Sequence, residues 1–454
     1  MTVTEDILPL EEPSVVGDAV PLGATELFFS TTDHHGVIRL GNSVFARVSG
    51  YALDELVGAP HNLVRHPDMP AGVFELIWER LRAGRPVGGF VENRAKDGSA
   101  YWVFATMSPL HDGYLSVRIA PRSVYFERIE AVYAHARAVE DLAAAAGVGR
   151  RERAVCGRVA VEEALRHQGF ASYDEFMATA LPAEISVRAD SVREAFARSD
   201  SQGPVGQTLS AALALDAEFA PLVGRLADYQ LLCERLTVAA QRVIEIACRL
   251  GISVEAAREA SRPVADTAPV LANVARVMGD PMRDAVTALR SLPTALDRLR
   301  TDVLRLRFRI SLAVLHNTTV AAFAAEVIDG TAPPQSLQAV PLLCDAAALG
   351  LAEMAEQVHR LNGELAAVAA VTEQAAAALD RFRRFLGQWR ILVLRYKAGP
   401  LIADQLALID AEIVASADWM SLLHELGAEF RSATVVIDTD RLRHQWTAIK
   451  HTAR

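Results

Sequence analysis

Cysteine is scarce, with four residues in a chain of 454. Cys156, Cys233, Cys248 and Cys344 stand far apart with no C-x-x-C pair, which excludes zinc-site spacing and a disulfide scaffold and fits a reducing cytoplasm. Positive charge is also short: 46 Lys and Arg face 56 Asp and Glu, a net charge of -10, which argues against phosphate-backbone binding, so nucleic acid is not an expected partner. The chain has no G-x-S-x-G elbow, no G-x-x-x-x-G-K-[ST] loop, no H-E-x-x-H helix and no pattern like a histidine-kinase or diguanylate-cyclase core, so no enzyme activity is expected. The acidic residues 1–21 lack the basic and apolar regions of a secretory signal and read as a flexible leader. Residues 310–328 are apolar but contain His316 and Asn317 and follow Arg305, Arg307 and Arg309. No uninterrupted transmembrane segment is therefore expected, and the protein reads as soluble and cytoplasmic.

What is present divides sharply. Hydrophobic residues make up 51% of the chain, enough for a large core and about three domains of ordinary size. Aromatics are only 6%, and Ala and Leu dominate after residue 130, which favours helix there. The first part is different. A β-branched and aromatic run from Leu27 to Thr32, the turn Asp33-His34-His35-Gly36 and Val37 to Leu40 predict an opening hairpin. Short helices follow from Asn42 to Gly50 and from Tyr51 to Gly58. Phe74, Ile77, Trp78 and Leu81 then predict a longer helix over residues 71–83. Residues 87–93, 100–109 and 114–120 read as three more strands, joined by turns at Asp97-Gly98 and Asp112-Gly113. Between the short and the longer helices lies PHNLVRHPDMP, residues 60–70, with two histidines, an arginine and an aspartate in one Pro-bounded segment.

This order, with PHNLVRHPDMP followed by VENRAKDGSAYWV, resembles the PAS domain family, and in particular its bacterial aerotaxis-receptor branch. The resemblance covers about residues 26–118. It implies an α+β domain with an antiparallel five-stranded sheet and short helices, noncovalent FAD and the sensing of redox or oxygen state. It assigns flavin-pocket or supporting roles to Asn42, His61, Arg65, His66, Asp68 and Asn93, with Tyr101 and Trp102 in the pocket wall. One departure is Val87, where relatives often carry Trp; it removes an aromatic stacking surface.

The residue chemistry allows such a role without requiring it. A flavin needs donors and acceptors at its ring edge, neutralisation of its phosphates and an apolar slot for the ring. Arg65 supplies a bidentate charge, and Asn42 or Asn93 an amide that both donates and accepts. The structural alternative is an Arg65–Asp68 ion pair fixing the loop, with Asn42 as a helix cap. His61 and His66 also leave haem as an alternative cofactor. A cofactor-free dimerisation scaffold is the third reading.

Beyond the sensor, heptad-like seams run from Leu222 to Leu250, from Leu289 to Ile310 and from Leu351 to Tyr396. They predict a large all-α bundle or antiparallel coiled coil. The first seam is expected to end at Gly251, with breaks at residues 330–334 and 399–400. Residues 317–326 bear only a faint likeness to the hairpin tip of chemoreceptor signalling domains. The expected organisation is a leader (1–21), the sensor (22–125), a helical connector (126–203), a long-helix bundle (204–400) and a helical tail (401–454) with a strand-like run at residues 434–438 and a basic end. A homodimer acting on a chemotaxis-type kinase or adaptor is the expected mode of output.

Overall fold

The computed structural model describes residues 22–198, 202–262, 265–397 and 399–453. The leader (1–21), residues 199–201 at the end of the expected connector, 263–264, 398 and 454 lie outside the described residues. The chain forms two compact units, one comprising Met1–Phe219, Phe308–Leu351 and Asp440–Arg454, the other Ala220–Arg307 and Ala352–Thr439.

The first unit is built on a five-stranded antiparallel sheet of order β2-β1-β5-β4-β3. Its strands are β1 (Phe28–Thr32), β2 (Ile38–Gly41), β3 (Val87–Arg94), β4 (Ala100–Leu110) and β5 (Gly113–Ile119). Between β2 and β3 run α1 (Ser43–Ser49), α2 (Leu53–Leu56), a 3-10 turn over His61–Val64 and α3 (Ala71–Arg82). Asn42 caps α1: its Oδ1 accepts from the backbone N–H of Phe45, as helix N-caps do, and from Phe29, while its Nδ2 donates to the Leu27 carbonyl at 2.7 Å. Those bonds tie β1 to the helix that follows the hairpin.

The two faces of the sheet have different covers because side chains alternate along a strand. Ala105 and Met107 of β4 and Ser116 and Arg118 of β5 face α3 and the loop after α2. The interleaved Phe104 packs edge-on to Phe90 at 4.9 Å, and Trp102 meets Phe126 and Tyr133. Those partners belong to α4 (Tyr125–Ala145), which is followed by α5 (Arg150–His167) and α6 (Tyr173–Phe196). α9 (Asp280–Ile328) also reaches this face, where Phe323 packs edge-on to Phe29 at 5.4 Å. Burying each such aromatic contributes about 1.5–3 kcal/mol.

Helices α4 to α6 bind back to the sheet domain through carboxylates that accept from backbone N–H groups. Glu140 accepts from Ala71 and Gly72 at 2.9 and 2.8 Å, capping the N-terminus of α3, where the helix dipole also favours a negative charge. The fully buried Glu184 of α6 accepts from Arg122 and Ser123 at the exit of β5. α5 crosses α3 at Gly72 so closely that a Cβ there would collide with the backbone of Gly157 and Arg158.

In the second unit, residues of the three predicted seams are buried, among them Leu236, Val243, Leu299, Leu361 and Trp389. They lie on α7 (Gly203–Ser261), α9 and α10 (Val340–Arg395). α7 does not stop at Gly251 but continues to Ser261, because no left-handed turn forms there. Ile246, Leu250 and Val254 join α8 (Pro269–Val277) and the end of α10 in one apolar cluster around Trp389. α11 (Gly399–Ser432) and α12 (Thr439–Thr452) complete the chain. The predicted strand near residue 435 is an extended linker instead: Asn362 bonds both the N–H and the carbonyl of Val435, leaving no strand partner. The basic end is largely neutralised, with Arg441 paired to Glu218 and Lys450 to Asp345. Contrary to expectation, Pro269–Ile328 and Pro334–Arg395 are long and apolar enough to cross a membrane by length and composition. Of their apolar windows, 83% and 50% respectively are buried inside the structure, as in core helices.

Gly72→Ala should push α5 off α3 and cost about 1–3 kcal/mol. Hydrogen exchange should show faster opening of residues 150–167 with the strands unchanged; unchanged exchange in α5 would contradict the close crossing.

Candidate functional site

A cavity of about 340 Å³ lies between the sheet and α3, within the range of about 300–1,000 Å³ typical of small-molecule sites. Its apolar wall comes from Phe74, Ile77 and Trp78 of α3 with Val91 and Met107 of the sheet. Trp78 stands edge-on to Tyr114 at 5.5 Å and supplies an aromatic surface in the same cavity, although Val87 is buried away from its lining. The polar wall comes from His61, Arg65, Asn93, Ser116 and Arg118, and the lining contains no carboxylate.

Each polar group has a traceable position. Arg65 pairs through its backbone with Asn93 as an isolated bridge, so the PHNLVRHPDMP segment is stitched to the end of β3. Its guanidinium donates to the Met69 carbonyl at 3.0 Å and lies 3.8 Å from the centre of the Phe74 ring. Burial lowers its pKa, while the charge of Glu140 opposes that shift. His61 Nε2 lies 2.8 Å from Arg118 Nη1 and 3.3 Å from Ser30 Oγ. Since the guanidinium can only donate, His61 Nε2 accepts and the imidazole proton sits on Nδ1. Burial, then the charge of Arg118, holds the His61 pKa well below its ordinary value, so the ring is neutral. Burial raises the pKa of the Tyr101 hydroxyl, while the charge of Arg118 and then the Asn93 amide oppose that shift, and neither Asn93 Nδ2 nor Tyr101 Oη completes a hydrogen bond.

Of the residues singled out from sequence, His61, Arg65 and Asn93 line this cavity. Asn42, His66, Asp68, Tyr101 and Trp102 do not. The amide of Asn42 is consumed by its cap. Trp102 faces α4, because a strand cannot present two successive side chains to one face. Asp68 pairs with Arg137 of α4, and no Arg65–Asp68 pair forms. His66 Nδ1 accepts from the Asp68 N–H at 3.2 Å and lies 3.3 Å from Glu92 Oε2. With His61 Nε2 turned to Arg118 and His66 outside the lining, the geometry gives haem no support. Arg118, Ser116 and Trp78 were missed in the sequence. The alternation Leu115-Ser116-Val117-Arg118-Ile119 carried the signal, since two polar residues share one face of a strand between fully buried apolar ones.

Residues 40–117 match the family model described as the PAS fold, and the N-terminal domain has that fold. It is 40% identical over 126 residues to the aerotaxis receptor of Escherichia coli (strain K12), a match covering 27% of this chain and 25% of that protein. It is 33% identical over 82 residues to the biofilm dispersion protein BdlA of Pseudomonas aeruginosa, covering 18% of this chain and 20% of that one. The matched segment thus spans a quarter or less of the length of these curated relatives. Among solved structures, a PAS domain from Colwellia psychrerythraea aligns at 22% identity and a TM-score of 0.19, over 21% of this chain and 85% of that one.

Glu92, outside the cavity, has its pKa pushed up to about 7, first by burial and then by the charges of Asp68 and Glu130. The folded state therefore holds a proton that the unfolded chain releases near the ordinary carboxyl pKa. The stabilisation is complete at acid pH and is lost as pH rises through about 7. Allowing for partial solvent screening, Glu92→Gln should remove about 1–2 kcal/mol of that pH dependence. Urea midpoints of wild type and variant at pH 5 and pH 8 measure it; parallel pH profiles would contradict the assignment.

Proposed function

We propose that this protein is a signal-transduction sensor whose PAS cavity holds a flavin, FAD, and that it reports redox or oxygen state through its helices by protein contacts. The observation that carries this reading is the cavity itself. An aromatic and aliphatic wall on α3 faces a polar wall with two guanidiniums, a neutral imidazole and an unsatisfied amide, in a domain similar to part of the aerotaxis receptor. When bound, a flavin supplies a reversible redox change at its ring edge. Phe74, Ile77 and Trp78 would form the slot for its ring, and Asn93, Arg118 and Arg65 would bond the polar edge.

Two routes lead out of the cavity. One passes through α3 to Glu140 and the α4–α5 pair that holds it. The other crosses the sheet, from the cavity face of β3 to β5 to the aromatic contacts of Phe90 and Trp102 with α4 and of Phe90 with α6. A change in the acceptor strength of the ligand shifts the donors on one face and so biases the helices on the other. The protein would act as a cytoplasmic homodimer, without enzyme activity, on a chemotaxis-type kinase or adaptor.

The full chain should carry flavin absorption bands that bleach on reduction, with release of FAD on denaturation. A folded protein that stays colourless after reconstitution with FAD would overturn the flavin and leave a scaffold. Glu140→Ala removes the acceptor for two N–H groups of α3 and should cost about 1–2 kcal/mol while leaving the flavin spectrum in place. It should abolish any change in protease sensitivity of residues 125–167 between the oxidised and reduced states. Persistence of that change would exclude α3 as the route.

A further inference from the structure

Arg118 is a buried cation that meets no counter-charge among the described residues. It sits on the central strand β5 with 6% of its surface exposed, and it lines the cavity. Its Nε has no hydrogen-bond partner, its Nη1 meets only the neutral imidazole of His61, and its guanidinium lies 4.7 Å from the centre of the Phe28 ring. No carboxylate pairs with it among the described residues.

Other buried arginines of this unit differ. Arg80 is paired with Asp174 at 2.5 Å. Arg188 also leaves Nε and Nη1 without partners, but it donates to the Ala24 carbonyl at 2.6 Å and lies in the field of the Glu184 carboxylate. Arg65 has the Met69 carbonyl and the field of Glu140. A buried cation without a counter-charge is costly, and native folds pair it or use it. Asn93 adds a second unsatisfied donor on the neighbouring cavity wall, itself only 3% exposed.

We infer that Arg118 is the anchor for a negatively charged or electron-rich planar edge of the cavity's ligand, with Asn93 bonding beside it, and that its charge stays uncompensated until that ligand is bound. The planar fork of the guanidinium suits two adjacent acceptor atoms, such as the carbonyl and ring nitrogen of a dione-type ring or a carboxylate. His61 fixes the fork: it accepts one N–H and leaves the others to the ligand. This inference rests on the flavin reading only for the identity of the ligand.

The test uses the full-length protein, stripped of ligand, as wild type, Arg118→Met and Arg118→Lys, with two readouts. The first is affinity for FAD by fluorescence quenching. Arg118→Met should bind at least tenfold more weakly, and Arg118→Lys should recover part of the loss because it restores charge but not the fork. Equal affinity in all three would overturn the anchor while leaving the flavin intact. The second is the melting temperature of the ligand-free protein. Arg118→Met should melt at or above the wild type, since it replaces an uncompensated charge with a side chain of similar length, and a clear fall would show that Arg118 is structural. If wild type binds no FAD, the flavin reading fails, and the second readout alone decides the status of Arg118.

Discussion

The two-residue period of β4 and β5 is the constraint on which the rest of the first unit depends. Every second side chain of these strands faces the cavity, and the residues between them face helices. Ser116 and Arg118 are polar on one face; Leu115, Val117 and Ile119 are fully buried on the other. One peptide layer therefore separates a ligand-sized cavity from the packing of α4, α6 and α9. Any displacement of these strands moves the cavity wall on one face and the helix packing on the other together.

Ionised side chains are used in two distinct ways around that sheet. Glu140 and Glu184 are helix carboxylates spent on backbone N–H groups, and they hold the helices following the sheet against α3 and against the exit of β5. The segment after the sheet is thus part of the fold that contains the cavity and not a free spacer. Arg118 is the opposite case, a buried charge that no carboxylate neutralises among the described residues. The contrast separates groups that build the domain from a group that waits for something outside it.

The PHNLVRHPDMP segment illustrates how a dense polar motif divides its labour. His61 and Arg65 turn into the cavity, Asp68 turns to Arg137 of α4, and His66 turns to Glu92 on the edge strand. Its 3-10 turn and the Arg65–Asn93 bridge make it a connector between the cavity, β3 and α4. A single motif therefore touches the cavity, the edge strand and the first helix after the sheet.

Local sequence determined the order of elements, because turn residues, capping residues and hydrophobic period act over a few positions. The opening hairpin, the Asn42 cap, the five strands and the long helical seams were all legible for that reason. Adjacent Tyr101 and Trp102 looked alike in sequence, yet pleating sends them to opposite faces. Arg65 and Asp68 were near enough in the chain to pair, and tertiary packing gave Asp68 to Arg137 instead. The helix past Gly251 continued because its apolar partners on α8 and α10 outweigh the cost of one glycine. The alternation from Leu115 to Ile119 put Arg118 on the opposite face of β5 from its apolar neighbours, but only the tertiary structure shows which charges are paired. Whether a buried guanidinium is neutralised depends on groups brought together from distant parts of the chain, and no local pattern encodes that.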